Sequence, residues 1–188
     1  MCVRVPKHLC RHNPIRTGSI WYVMFSIEEL HQYSTSVRNN FATKLAELPW
    51  SDVEKNREAS FYSMKNILLH MIDNEDWMVN WVIHNQSKDY ARRKSEEYTG
   101  MKMIQDHLEE VEEKSARYFA RLDVTELSRR VKFATMAGPT FDLTVEECLF
   151  QSFTEQIYHL GELIALFWQD NIEPPKMQWF WNNPRTNK

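Results

Sequence analysis

The sequence predicts an all-α protein, a four-helix bundle with a short irregular or β-hairpin segment between the third and fourth helices. Three observations support this fold class. Four segments of about 20 residues carry apolar side chains at intervals of three and four, the spacing of an amphipathic helix. The chain has four glycines and seven prolines, few for a turn-rich β architecture. Its 188 residues suit one domain around a single core.

Residues 1–23 are expected to form a flexible N-terminal extension, because they carry prolines and basic side chains without helical periodicity. A zinc cluster in this extension is the alternative, and its ligands would be Cys2, His8, Cys10 and His12. Their spacing matches no compact zinc motif, so the extension is the preferred interpretation. We place the bundle domain at residues 24–175.

The first helix is predicted to begin after Ser26, where the Ser26 hydroxyl and the Glu29 carboxylate can form a capping box. It ends before Pro49, which cannot continue a helix. The second helix is more apolar and is predicted over residues 61–85. The polar stretch that follows, residues 86–100, is long enough to cross the end of a bundle.

The third helix, predicted over residues 104–122, has a narrow apolar stripe and many glutamates, which indicates an outer position. Alternation over residues 131–135, followed by a Gly-Pro turn, indicates a short strand pair or an ordered loop. Thr144 to Glu147 forms a second capping box that begins the fourth helix. Residues 176–188 form an aromatic C-terminal tail, which we expect to pack on the bundle or on a partner.

Composition excludes several classes of protein. The net charge of −3 argues against nucleic-acid binding, and we interpret the short basic runs at residues 92–94 and 129–130 as solvated faces. No apolar run reaches the roughly 20 residues that span a bilayer, so no membrane association is expected. Three cysteines at irregular spacing favour a reducing compartment, and the cytoplasm is the expected location.

The fourth helix carries one polar seam on an otherwise apolar segment. Its members advance by four, three, four and three residues: Cys148, Ser152, Glu155, His159 and Glu162. The apolar residues around most of the circumference predict that the helix is buried, together with its seam. An unpaired buried carboxylate would cost several kcal/mol, so a metal ion, a water-filled pocket or a basic partner should compensate it.

A further ligand is available from the second helix, where His70 lies in a mostly apolar setting. His70, Glu155 and His159 would provide two imidazoles and one carboxylate, a donor set that leaves coordination positions open for water or substrate. The spacing alone also fits a hydrogen-bonded core histidine and a simple Glu–His pair on one helix face.

The remaining candidates are weaker. His31 and His107 lie in polar stretches and are predicted to be surface residues. His84 is fourteen residues from His70, too far along one helix to share an ion with it. Cys148 is predicted to be a small buried residue and not a nucleophile.

Two motifs resemble the DinB-type four-helix bundles: His70 with Glu75 and Trp77 in the second helix, and Glu155-x-x-x-His159-Leu-Gly-Glu162 in the fourth. The resemblance covers roughly residues 24–175. Members typically carry one metal-binding histidine in the second helix and a His-x-x-x-His pair followed by Gly-Gln in the fourth. His70 and His159 match the first and last family ligands. Glu155 stands where the family has histidine, and Glu162 where it often has glutamine.

The resemblance implies that His70, Glu155 and His159 bind one divalent ion, Zn²⁺, Ni²⁺, Mn²⁺ or Fe²⁺. Residues expected to orient these ligands from behind are Glu75, Tyr158 and Glu162. It also implies a metal-dependent transferase of low-molecular-weight thiols or a hydrolase acting on a small electrophile, a stress-related role and a homodimer. The alternative is a non-catalytic bundle or interaction protein whose seam is a structural polar network.

Overall fold

The structure is a computed structural model that describes residues 25–135 and 138–185, together with the backbone of a short antiparallel pair, β1 (Arg16–Thr17) and β2 (Ile20–Trp21). The rest of the N-terminal extension lies outside the described residues. The zinc ligands considered there, Cys2, His8, Cys10 and His12, lie outside them as well.

Four long helices form the predicted bundle, with short helices and a hairpin in the connections. The four long helices are α1 (Ile27–Ala46), α3 (Met64–Glu75), α4 (Met101–Phe119) and α6 (Val145–Gln169), and the short ones are α2 (Trp50–Glu54) and α5 (Val124–Ser128). Helix α6 packs against α1 and α3, and α4 packs against the same two helices. The main core between them contains apolar side chains from all four, including Phe41, Leu68, Leu108 and Phe167.

Both predicted capping boxes are confirmed. The Glu29 amide donates to Ser26 Oγ at 3.1 Å, and the Ser26 amide donates to Glu29 Oε2 at 3.0 Å. The Glu147 amide donates to Thr144 Oγ1 at 3.2 Å, and the Thr144 amide donates to Glu147 Oε2 at 2.7 Å. These reciprocal bonds satisfy amides that no intrahelical carbonyl can reach, so they set where α1 and α6 begin.

The second long helix differs from its predicted range of 61–85. Helix α3 begins after Ser63, whose hydroxyl accepts from the Asn66 amide at 3.2 Å, and it continues as a π-helical segment over Asp76–Val82. Tyr62, just before the cap, has a φ of 68°, which is incompatible with a right-handed helix. Phe61 therefore belongs to the preceding loop. π-helical turns are rare in proteins overall, but those that occur are often found at functional sites.

The segment between α5 and α6 is the predicted strand pair. Strands β3 (Arg130–Ala134) and β4 (Thr140–Thr144) are antiparallel, with Val131 opposite Leu143. Gly138 has a φ of 109°, a conformation that suits glycine in the turn. The buried face of β3 packs with the π-helical segment in a second apolar cluster.

Two expectations about burial are wrong in part. Helix α6 is not buried all round, because Phe150, Tyr158 and Trp168 are exposed. In the aromatic tail, Trp179 packs on the bundle, with its ring centroid 5.2 Å from that of Tyr33, whereas the two following aromatic side chains are exposed. A helix at the corner of a bundle has an outer face that no neighbour covers. Of the helices the structure describes, none is both long and apolar enough to cross a membrane.

Candidate metal centre

Three side chains from two helices meet where α3 packs against α6. His70 comes from α3, and Glu155 and His159 come from successive turns of α6. Each offers one ligand atom, and these atoms lie within 4.8 Å of one another. Glu155 Oε2 is 3.4 Å from His159 Nε2 and 3.7 Å from His70 Nε2. The structure therefore brings together the three ligands proposed from the sequence.

The two separations from Glu155 Oε2 fit ligands around one ion, whereas the full spread of the three atoms, 4.8 Å, would have to shrink slightly when an ion binds. N–H···O hydrogen bonds cluster near about 2.9–3.0 Å and seldom exceed about 3.2 Å, so the two Glu155–imidazole separations are long for direct bonding. Ligand atoms bound at about 2.1 Å around a tetrahedral ion lie roughly 3.4 Å apart. The two imidazole rings are also nearly perpendicular, at 78°, with centroids 4.6 Å apart. This donor set fits a divalent transition metal.

The far side of His159 is held by a carboxylate. His159 Nδ1 lies 3.1 Å from Glu162 Oε2, which leaves Nε2 directed toward Glu155. The Ser60 amide and hydroxyl donate to the same carboxylate at 2.8 and 2.7 Å. Metal-binding histidines usually donate their second ring N–H to a carboxylate or carbonyl, which fixes the tautomer and the ring orientation. The structure thus places Glu162 beside His159 Nδ1.

Glu155 is held in a similar way from within α6. Its Oε1 accepts from Gln151 Nε2 at 2.9 Å, and its Oε2 is the oxygen nearer the two imidazoles. Because Gln151, Glu155 and His159 are spaced by four residues, one helix face aligns all three. One carboxylate oxygen is engaged by the protein, and the other faces the two imidazoles.

His70 is covered by Phe61, whose ring stacks on the imidazole with centroids 4.1 Å apart and an interplanar angle of 19°. The same phenyl ring meets His159 edge-on at 5.3 Å. Burial, together with the neighbouring His159 and Arg92, lowers the pKa of His70 to about 4. At neutral pH the His70 imidazole is therefore neutral, and a metal ion requires that form.

The pKa of Glu162 is lowered in spite of its burial, because hydrogen-bond donors contact the carboxylate. Burial by itself would raise the pKa of Glu162, but the bonds from Ser60 and His159 outweigh it and lower the pKa. An ionised Glu162 is the better acceptor for His159 Nδ1–H.

Glu75 belongs to a different cluster. Its carboxylate accepts from Arg38 Nη1 at 2.7 Å and lies 3.2 Å from His31 Nε2. Five residues separate it from His70, which directs the two side chains to different faces of α3. Burial alone would raise the pKa of Glu75, but Arg38 and then His31 outweigh burial and hold the pKa well below its usual range. Glu75 is therefore part of a buried ion-pair network and does not contact the three candidate ligands.

The Arg38 guanidinium is the centre of that network. It is fully buried and also donates to Glu112 Oε1 at 2.9 Å and to Gln156 Oε1 at 3.3 Å. Gln156 in turn donates to the Met71 carbonyl at 2.7 Å, so the network joins α1, α3, α4 and α6. These contacts position the helices that carry the candidate metal ligands.

Other sequence-based assignments have mixed outcomes. Tyr158 is exposed, and its ring meets His159 edge-on at 4.9 Å. The surface positions predicted for His31 and His107 are wrong: His31 is 17% exposed, and His107 is buried with Nδ1 2.6 Å from Tyr98 Oη. Cys148 is buried, as predicted, and burial raises the pKa of its thiol to about 11.

Sequence reasoning missed two contributors to the site, Ser60 and Phe61. Both lie in the loop between α2 and α3, where no periodic pattern marks them. The Arg57 amide donates to the Tyr62 carbonyl at 2.6 Å, which closes this loop beside the centre. The left-handed conformation of Tyr62 had no sequence signal, because bulky residues rarely adopt it.

The fold and the site together define a helical bundle with a candidate mononuclear centre of two imidazoles and one carboxylate. The chain belongs to the DinB family, whose sequence model matches residues 23–186. A solved structure of a DinB-like protein from Bacillus cereus ATCC 10987 is similar at a TM-score of 0.58 and 16% identity, and the match covers 80% of this chain and 96% of that one. At this identity the likeness shows the fold. No curated protein matches the chain.

Proposed function

We propose that this DinB-family protein binds one divalent transition-metal ion through His70 Nε2, Glu155 and His159 Nε2, and uses it in transfer or hydrolysis chemistry on a small electrophile. The observation that carries the proposal is the convergence of the three ligand atoms within 4.8 Å, with Glu162 behind His159. Zn²⁺, Ni²⁺, Mn²⁺ and Fe²⁺ all accept this mixed nitrogen and oxygen donor set.

Three protein ligands leave at least one coordination position for a reactant. A divalent ion held there would lower the pKa of a bound thiol or water and so supply a nucleophile at neutral pH. The protein's own residues hold this arrangement. Glu162 fixes the His159 tautomer, Gln151 fixes one Glu155 oxygen, and Phe61 shields one face of His70 from water.

The family resemblance supports a low-molecular-weight thiol as the co-substrate. It also supports the proposals of a homodimer and a stress-related role. The cytoplasmic location is proposed from the three irregularly spaced cysteines. These four proposals are independent of the contacts at the centre.

The test is the metal content of the purified protein, measured by mass spectrometry for the parent and for His70→Ala, Glu155→Ala and His159→Ala. His84→Ala is the matched control, because His84 is an exposed histidine away from the centre. We expect about one ion per chain in the parent and the control, and at least a tenfold weaker affinity in the three ligand variants.

Thermal unfolding with and without added metal provides an independent measurement, because an ion that binds only the folded protein raises the melting temperature. The parent should show this rise, and His159→Ala should not. Metal-free parent protein that gains no stability from any of the four ions would sink the proposal and favour a structural polar network.

A further inference from the structure

Beside the metal centre lies a cavity of about 290 Å³ with a mostly apolar lining. Its walls include three aromatic side chains, Phe61, Trp77 and Tyr90, and it reaches His70 on one side and Arg92 on another. An apolar cavity of about 150 Å³ is enough to hold benzene. The cavity therefore has room for one ring-sized apolar group and a short polar extension.

Two of the residues that line the cavity, His70 and Trp77, come from a single helix face. His70 and Trp77 are two turns apart and project from the same side of α3 and its π-helical continuation. Phe61 both lines the cavity and stacks on His70, and Trp77 is braced by Phe133 with ring centroids 5.6 Å apart. A molecule in this cavity lies against the His70 ring, one side chain away from the metal position.

Arg92 marks the polar end. Its Nε donates to Asp73 Oδ2 at 2.5 Å, and within the described part of the chain its two terminal nitrogens have no hydrogen-bond partner. Arg92 and Asp73 also line a neighbouring cavity of about 380 Å³, which continues along Arg93 and Lys94. The basic run at residues 92–94, which we interpreted from the sequence as a solvated face, thus lines this neighbouring cavity.

Charge complementarity at this rim selects the ligand. The five charged side chains of the neighbouring cavity are three cations and two carboxylates: Arg92, Arg93, Lys94, Asp73 and Glu96. Arg93 is itself paired with Glu110 at 2.5 Å, so Arg92 is the arginine that can receive a ligand. Asp73 already engages Arg92 through Nε, so the guanidinium keeps its terminal nitrogen pair for a second, planar acceptor. Carboxylates fit this fork in a bidentate manner.

We propose that the two cavities form one binding site for a small carboxylate with an aromatic or similarly bulky apolar body, the body lying between Phe61 and Trp77 and the carboxylate on Arg92. The inference deepens the proposed function, because it assigns this class of molecule as the electrophile presented to the metal centre. Binding of the carboxylate itself requires the cavity and not the ion.

The experiment is an amide NMR titration of the full chain with 3-phenylpropanoate and with its neutral analogue 3-phenylpropanamide. The carboxylate should shift the signals of residues around Phe61, Trp77 and Tyr90, and it should bind more tightly than the amide. Arg92→Gln should weaken carboxylate binding about tenfold and leave amide binding unchanged. Trp77→Ala should weaken binding of both probes.

Two variants control for indirect effects. Arg130→Gln removes an exposed arginine that also donates from Nε to an aspartate, Asp142, at 2.8 Å, and it should leave both affinities unchanged. Arg92→Lys keeps a cation beside Asp73 but lacks the planar fork, so its affinity for the carboxylate should lie between those of the parent and Arg92→Gln.

The titration is repeated with His159→Ala in EDTA, because His159 does not line the cavity. If His159→Ala in EDTA still binds the carboxylate, the inference is supported independently of the metal proposal. This holds whether or not the parent protein binds metal. Equal affinity for the carboxylate and the amide in the parent overturns it. The inference is also overturned if about 10 mM probe shifts no signals around the two cavities, even in a protein that binds metal.

Discussion

His159 Nδ1 and Glu162 Oε2 lie 3.1 Å apart on adjacent turns of α6, and this contact directs His159 Nε2 toward Glu155 and His70. A loop residue, Ser60, holds the Glu162 carboxylate with two donors. The orientation of one proposed ligand is therefore set by a residue one turn away and by a separate loop. Three predictions follow from this centre and from the Arg38 network that supports it, and a fourth follows from the buried His107.

Replacing Glu162 tests this orientation. Glu162→Ala removes the acceptor for His159 Nδ1–H and should weaken metal binding by about 10–100-fold, the usual cost of losing such a partner. Glu162→Gln retains a carbonyl acceptor and should lose less. Competition with a chromogenic chelator gives the affinities, and Glu113→Ala, at an exposed glutamate of α4, is the control. An affinity in Glu162→Ala equal to that of the parent contradicts the assigned role.

Glu155 can be replaced by histidine, the residue that the family resemblance implies at the middle ligand position. Glu155→His should keep about one bound ion per chain, because an imidazole replaces one donor by another. It should also shift the preference away from Mn²⁺ and toward Zn²⁺ or Ni²⁺, which favour nitrogen ligands. Parallel titrations with Mn²⁺ and Zn²⁺ measure the ratio. Loss of all metal binding would show that the centre requires a carboxylate here.

The buried Arg38–Glu75 pair should contribute strongly to stability. Arg38→Met leaves the Glu75 carboxylate buried without its main partner and should lower the free energy of unfolding by about 3–5 kcal/mol. The double variant Arg38→Met/Glu75→Gln removes the stranded charge and should recover part of the loss. Urea unfolding measures both.

The comparison for this pair is Arg130→Gln, which breaks an exposed ion pair with Asp142 and should cost less than about 1 kcal/mol. Similar losses in Arg38→Met and Arg130→Gln would show that burial adds nothing to the Arg38 contacts.

His107 should make stability depend on pH. Burial, with Arg93 nearby, lowers its pKa to about 4, whereas an unfolded histidine titrates near about 6.5. Between these values the unfolded chain binds a proton that the folded chain does not, so stability falls as pH drops from about 6.5 toward 4. His107→Gln should lose this part of the slope, about one proton near pH 5.

Urea unfolding of metal-free protein at several pH values measures that slope. His84→Gln replaces an exposed histidine and should retain the slope of the parent. Identical slopes in the parent and His107→Gln would contradict the assignment to His107.

Local sequence determined the elements of the fold. Ser26 with Glu29 and Thr144 with Glu147 are three residues apart, so their capping boxes form within single turns and need no distant partner. The alternation before Gly138 predicted a short strand pair or an ordered loop, and the structure has the strand pair. The pair Glu155 and His159 is also local, because four residues on a helix always share a face.

The sequence by itself determined that four long helices form and which two candidate ligands share α6, since 3.6-residue periodicity acts within one segment. Only the tertiary structure decided that His70 joins them, that Ser60 and Phe61 close around the centre, and that Glu75 pairs with Arg38. Those contacts depend on how α3, α6 and the loop before α3 pack, which the whole core decides and no single stretch encodes.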